Sequence, residues 1–261
     1  MKIEKSIIIA GAICNASREI PLIFKNIESI SKIFSKVKCI LVESDSADNT
    51  IEVLKGIKDK YTDIDIEVFS FGNLRSKIPY RTGRIATARN FYLDRVESDY
   101  LDYDYLLVLD FNESNTDELD INGVISNFNY DDWDMICANQ EQIYYDLWAL
   151  RHPVWMPFDC WDWYDAPSFM NRDQIHNIYV KSRFIHIDKT HKLIKVQSAF
   201  GGSAFIKIKS IQGARHSSLN ERGNEACEWI SFCERLNNKT SNIYINPSFI
   251  NQSKLSRHAI L

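Results

Sequence analysis

The residues best suited to chemistry are acidic and stand just past a hydrophobic run: Tyr105-Leu-Leu-Val-Leu109 leads directly into Asp110-Phe-Asn-Glu113. The run is too short and too evenly apolar for a surface helix, so it reads as a strand buried on both faces, which suits a parallel sheet. Ligands of open α/β sheets collect beyond the carboxyl ends of strands, and hard oxygens placed there can hold a divalent cation and phosphate. A second group lies between Tyr144 and Tyr164, where Tyr-Tyr-Asp-Leu-Trp-Ala-Leu-Arg151 and Trp-Met-Pro-Phe-Asp-Cys-Trp-Asp-Trp-Tyr164 interleave rings with carboxylates. Sugars are held in this way, their C–H faces on rings and their hydroxyls on acids; a shielded apolar patch is the other reading. In Ala199-Phe-Gly-Gly202, Gly201 and Gly202 permit close backbone approach to a ligand.

These groups need elements to hold them. Ser6 to Gly11 predicts a first buried strand ending in the small residues Ala10 and Gly11, and Arg18 to Phe34 places Ile20, Ile23, Ile27, Ile30 and Phe34 at helical spacing. Lys38 to Val42 predicts a second strand, an amphipathic helix carries Ile51, Leu54 and Ile57, and Ile64 to Phe71 alternates as a third strand. Three βα steps in about 70 residues indicate a doubly wound, mostly parallel sheet with right-handed crossovers. A basic helix runs from about Thr82, with Arg84, Arg89 and Arg95 on it. Further strands are expected at Met135–Ala138, Lys192–Val196, Ala204–Ile208 and Asn242–Ile245, with a helix over Ala226–Leu236.

At 261 residues the chain can bury a large core in one domain, and no linker, repeat or low-complexity tract divides it. A net charge of −4 argues against a nucleic-acid partner, which needs a basic face that this balance does not suggest. The six cysteines form no Cys-x-x-Cys pair, so reduced, mostly buried thiols are expected. No stretch approaches the roughly 20 apolar residues of a transmembrane helix. The expected location is the cytoplasm, compatible with resting on a membrane surface. Nothing in the sequence sets the oligomeric state.

Several blocks resemble the GT-A nucleotide-sugar glycosyltransferases. Val42-Glu-Ser-Asp-Ser-Ala-Asp-Asn-Thr50 is similar to their acidic-Ser-x-Asp-Gly-Thr turn, and the first strand has their small-residue end. Gly83-Arg-Ile-Ala-Thr-Ala-Arg-Asn90 resembles their Gly-x-x-x-Ala-Arg-Asn helix with one extra residue, and Asp110-Phe-Asn112 stands where their Asp-x-Asp metal motif would be. The blocks at Tyr145–Arg151, Ala199–Gly202 and Cys227-Glu228 look more narrowly like fungal capsular mannosyltransferase-type proteins and their bacterial and large-virus relatives.

The resemblance implies an α/β, Rossmann-like GT-A fold: a central mostly parallel sheet flanked by helices, with a nucleotide-binding half at 1–113 and a smaller acceptor and sugar half at 114–261. It implies transfer of a sugar from a nucleoside-diphosphate sugar, of UDP or GDP type, to a glycan hydroxyl in polysaccharide or glycan synthesis. Ala10, Gly11, Glu43 and Asp45 would meet the nucleotide, while Arg84 and Arg89 would balance its diphosphate. Asp110 would face ribose and a Mn2+ or Mg2+ ion, with Asn112, Glu113 and the late His258 as further ligands; the amide at 112 replaces a carboxylate and weakens that site. Glu228, or Glu225 on the same helix face, would deprotonate the acceptor, and Asp146, Tyr145, Trp148, Arg151, Gly201 and Gly202 would address sugar or acceptor. Two other functions fit less of the sequence. A nucleotidyltransferase making nucleotide sugars usually carries a Gly-rich phosphate loop with a Lys, which Ala10–Asn15 lacks. A non-catalytic carbohydrate-binding protein on a transferase scaffold is the other.

Overall fold

A computed structural model describes residues 3–162, 166–236 and 242–255. One eight-stranded sheet runs through it, made by β1 (Ile3–Ile13), β2 (Phe34–Glu43), β3 (Asp65–Ser70), β4 (Tyr105–Leu109), β5 (Met135–Gln140), β6 (Ile194–Val196), β7 (Ser203–Lys207) and β8 (Ile243–Gln252), in the order β3-β2-β1-β4-β7-β5-β8-β6. The helices are α1 (Ile20–Ser31), α2 (Thr50–Lys60), α3 (Arg81–Asp99), α4 (Ile121–Ser126), α5 (Arg172–Tyr179) and α6 (Glu228–Arg235).

Strand alternation explains the layering. Ile7 and Ile9 of β1 face a core with Ile20, Ile23, Phe24, Ile27 and Ile30 of α1 and Leu54 of α2. Ile8 and Ala10 face the other core, with Ala88, Tyr92, Leu93 and Val96 of α3 and Trp229 and Phe232 of α6. Because successive side chains point to opposite faces, a strand covered on both sides must be apolar there, as Ile7–Ala10 of β1 and Leu106–Leu109 of β4 are.

Two expectations need correction. β4 is parallel to β1, but its other neighbour, β7, is antiparallel to both β4 and β5, so the buried run at Tyr105–Leu109 does not signal a wholly parallel environment. Burial on both faces dictates apolarity whatever the direction of the neighbouring strand. β1 also continues past Ala10 and Gly11, pairing with β2 as far as Ile13 opposite Glu43. The edge of the sheet that can receive a ligand therefore begins at Ala12, beyond the predicted small residues. None of the six cysteines is joined in a disulfide. Among the described residues no helix is long and apolar enough to cross a membrane.

Candidate active site

Beyond the carboxyl ends of β2, β1 and β4 lies a cavity of about 420 Å³. Following the strand order, it passes from Ala12, Ile13, Cys14 and Asp45, with Arg75, Arg81 and Arg84, to Arg89, Asp110, Asp146 and Glu228, and on to Trp148, Trp161 and His176. Of the expected site residues it brings together Asp45, Arg84, Arg89, Asp110, Asn112, Tyr145, Asp146, Trp148 and Glu228. Ala10, Gly11, Glu43, Glu113, Arg151, Gly201, Gly202 and Glu225 do not line it, and His258 lies outside the described residues.

Arg89 is the electrostatic centre. It is 3% exposed, about two turns into α3, with its guanidinium over the Phe200 and Trp229 rings at 4.7 and 4.5 Å. Its Nη2 meets Asp110 Oδ1 at 3.0 Å and its Nη1 meets Glu228 Oε1 at 3.0 Å. Burial opposes its charge, but the Glu228 and Asp110 carboxylates outweigh that and hold it protonated. Arg89, expected to balance a diphosphate, lies with its guanidinium against two carboxylates, of which only the Nη2–Asp110 contact has hydrogen-bond geometry. Arg84 is engaged as well: Nη1 donates to the carbonyls of Ile78 and Pro79 at 2.9 and 2.8 Å, and Nε lies 3.5 Å from Asp45 Oδ2.

The cations left for an anionic ligand are Arg75 and Arg81, neither of which was among the expected site residues. Both are exposed, line the cavity, and make no side-chain hydrogen bond or ion pair among the described residues. Helical spacing carries no signal for them, since Arg75 lies on a loop and Arg81 at the first residue of α3. The loop is pinned by Asp45, in left-handed backbone at φ 61°, whose Oδ1 accepts the Arg75 N–H at 2.8 Å.

Glu43 is 1% exposed and turned inward, its oxygens accepting from Ser46 N (3.1 Å) and Ser70 Oγ (2.6 Å), so it shapes the turn without facing the cavity. Asp48 does the capping, accepting from Ser17 N, Thr50 N and Thr50 Oγ1; those hydrogen bonds outweigh its desolvation and bring its pKa down to about 2. The glycines approach protein and not ligand. A Cβ on Gly11 would lie 2.3 Å from the Phe111 ring, one on Gly201 (φ 67°) 2.5 Å from the Ala138 carbonyl, and one on Gly202 (φ 82°) 2.5 Å from Ser114 Oγ.

Asn112 Oδ1 accepts from Ser114 N (2.9 Å) and Ser114 Oγ (2.6 Å), and Nδ2 faces Asp110 Oδ2 at 3.4 Å. The Ser114 N–H can only donate, which fixes that orientation and spends the amide oxygen expected on a metal. Glu113 opens the following 3₁₀ turn, away from the cavity. Among the described residues no group of three or more His, Cys, Asp or Glu side chains could hold a metal alone. Mg2+-type sites, however, need only one or two carboxylates, the substrate's phosphates and water completing the shell. Asp110, its side chain 29% exposed and lining the cavity just past β4, is the carboxylate placed to share such an ion with a diphosphate.

Asp146 is partly buried beside Glu228 and Asp110; its Oδ2 accepts the Gly201 N–H at 2.9 Å. Burial raises its pKa to about 6, in spite of that hydrogen bond, with Asp110 and Glu228 adding to the rise. Gly201 thus acts through Asp146. Glu228, at the first position of α6, is also shifted up by burial, against the pull of Arg89. His216 Nδ1–H donates to the Glu228 carbonyl (3.1 Å) while the ring is stacked on Phe232, and burial holds its pKa well below the usual value, so it props the helix start as a neutral ring. Glu225 serves a structural purpose instead. Its Oε1 accepts from Thr82 N (3.1 Å) and Thr82 Oγ1 (2.7 Å), capping α3 from across the fold.

Arg151 does not reach the cavity. Its Nη2 pairs with Asp159 Oδ2 at 3.0 Å and its Nη1 donates to the carbonyls of Trp148 and Leu150.

No family model matches the sequence, and no curated protein matches it. Solved structures do. A mannosyltransferase from Pyrobaculum calidifontis, solved with GDP-Man and Mn2+, aligns over 98% of this chain and 58% of its own with a TM-score of 0.54 at 9% identity. S. aureus TarS, residues 1–349, aligns over 94% of this chain and 58% of its own with a TM-score of 0.50 at 10% identity. This chain therefore spans under two thirds of either neighbour's length. The likeness establishes the architecture: a Rossmann-like GT-A fold, with a mostly parallel sheet flanked by helices.

Proposed function

We propose that the protein is a glycosyltransferase that moves a sugar from a nucleoside-diphosphate sugar to a glycan hydroxyl, with a divalent cation at Asp110. One observation carries the reading: a single cavity at the sheet's carboxyl edge joins exposed guanidiniums to three carboxylates, Asp110, Asp146 and Glu228. A nucleotide sugar carries the matching charges, an anionic diphosphate next to a hydroxylated ring. The Pyrobaculum neighbour was solved with such a donor and Mn2+.

In this reading Arg75 and Arg81 receive the diphosphate, whose negative charge grows as the anomeric C–O bond breaks. A bound Mn2+ or Mg2+ would supply further neutralisation of that leaving group. Arg89 keeps Asp110 and Glu228 in fixed positions on either side of its guanidinium. Glu228 takes the proton of the acceptor hydroxyl as that oxygen attacks the anomeric carbon, and Asp146 accepts from a sugar hydroxyl. Residues 1–113 supply the donor side and 114–261 the acceptor side. Kinship with capsular mannosyltransferase-type proteins is supported by the sequence blocks at Tyr145–Arg151, Ala199–Gly202 and Cys227-Glu228, and a cytoplasmic location with contact at a membrane surface belongs to the same proposal.

The test is hydrolysis or transfer from UDP- and GDP-sugars with and without Mn2+. Turnover should fall with Asp110→Ala, and Glu228→Gln should lower it by about 10²–10⁴ while nucleotide binding persists. Undiminished turnover in Asp110→Ala would rule out this assignment.

A further inference from the structure

We infer that Trp148 and Trp161, both set in place by Asp159, form a subsite for a pyranose ring of the acceptor; this deepens the proposed function by naming the part of the cavity that takes the acceptor sugar. Asp159, its side chain only 14% exposed, is the hub. Its Oδ2 accepts the Trp148 indole N–H at 3.2 Å and pairs with Arg151 Nη2 at 3.0 Å, while its Oδ1 accepts the Trp161 backbone N–H at 2.9 Å. Arg151 in turn holds the Trp148 carbonyl at 3.1 Å. Trp148 is thus fixed at its ring edge and at its backbone, and one carboxylate bonds both the Trp148 indole and the Trp161 backbone.

The wall behind Trp161 is built as a zipper. Trp155, Phe158 and Trp161 recur every three residues, and they meet Arg183, Tyr179 and His176 in reverse order. Trp155 Nε1 donates to the Arg183 carbonyl at 2.7 Å, the Phe158 and Tyr179 rings are 5.0 Å apart, and Trp161 lies nearly parallel to His176 at 5.9 Å and 17°. An Asn171–Gln174 capping box secures the start of α5, which carries His176 and Tyr179. Even so, Trp161 remains 46% exposed while lining the cavity. A large ring held firmly at its backbone and backed by imidazole, yet open to the cavity, is arranged to receive a ligand face and not to fill a core.

Its chemistry selects a saccharide. The axial C–H bonds of a pyranose are complementary to an indole face, and its hydroxyls need acceptors. Asp146, which lines the same cavity, supplies one. A purely apolar ligand would desolvate that carboxylate with no hydrogen bond in return. The subsite residues follow β5 in sequence, whereas Asp45 follows β2 and Arg75 and Arg81 lie between β3 and β4.

The experiment uses the full chain and saturation-transfer NMR with the methyl glycosides of glucose, mannose, galactose, xylose and N-acetylglucosamine, with hexanol as the apolar comparison. UDP and GDP binding are measured on the same samples. At least one glycoside is expected to bind saturably. Trp161→Ala should weaken it about tenfold, equivalent to about 1.4 kcal/mol, and Trp161→Phe should restore most of the affinity by restoring a ring. Asp159→Asn should weaken glycoside binding while leaving nucleotide affinity unchanged, a split that general unfolding cannot produce. No glycoside binding in protein that binds nucleotide, glycoside affinity unaffected by both Trp161→Ala and Asp159→Asn, or hexanol bound in preference to every glycoside would each overturn the subsite. Glycoside binding without any nucleotide binding would keep the subsite and instead remove the transfer reading.

Discussion

The β2–β1–β4 side of the cavity and its β5 side are held by different means. On the first, strand ends and a helix start place the groups: Asp110 follows β4 directly, Asp45 follows β2, and Arg81 opens α3. On the second, side chains far apart in sequence hold one another, as Asp159 holds Trp148 and Trp161, and Trp155, Phe158 and Trp161 hold α5 and the turn after it. Arg89 joins the two sides, since one guanidinium serves both Asp110 and Glu228. Backbone placement survives many side-chain changes, whereas a carboxylate hub fails with one.

The largest effect should come from cutting that join. Arg89→Met leaves two carboxylates without their buried partner, and loss of one member of a buried ion pair costs about 3–5 kcal/mol. Chemical denaturation at pH 7 should show that loss; a decrease below about 1 kcal/mol, the level of an exposed pair, would mean that the two sides are not coupled through this residue.

A smaller and pH-dependent effect is expected at Asp146. Its folded-state pKa, raised to about 6, lies above the value of about 4 for an unfolded chain, so its contribution to stability is full below about pH 4 and is lost as pH rises through about 6. Asp146→Asn, which cannot ionise, should therefore gain on the unaltered chain by on the order of 2 kcal/mol at pH 7.5 and by little at pH 4. Unfolding curves at the two pH values check this, and a difference independent of pH would show that Asp146 is not desolvated. The smallest effect is on the capping contact. Glu225→Ala should lose about 1 kcal/mol of stability with turnover unchanged; a collapse of turnover would return Glu225 to the candidates for the acceptor's base.

Strand positions were legible because period and burial dictate them locally, and Ile7–Ala10, Cys39–Val42 and Leu106–Leu109 are each buried as their composition requires. The end of β1 was not, because only pairing to Glu43 carries the strand on to Ile13. The direction of β7 left no mark either, since Ala204–Ile206 would be equally apolar either way round. At the site, residue types were legible and roles less so. Arg84 and Arg89 stand in the block that resembles the family's Ala-Arg-Asn helix, yet their guanidiniums go to Ile78, Pro79, Asp110 and Glu228, and those partners arrive from three other segments. Asn112 likewise carries a ligand's oxygen that Ser114 takes first. The role of Asp159 depends on its meeting Trp148 eleven residues earlier across an irregular loop, a contact without periodicity.

The most direct test of the central claim is a crystal structure of the chain with a UDP- or GDP-sugar and Mn2+. The diphosphate should lie within hydrogen-bond reach of Arg75 and Arg81, with the ion between it and Asp110. A diphosphate bound by Arg84 with its backbone contacts broken, or a donor seated outside this cavity, would contradict the account.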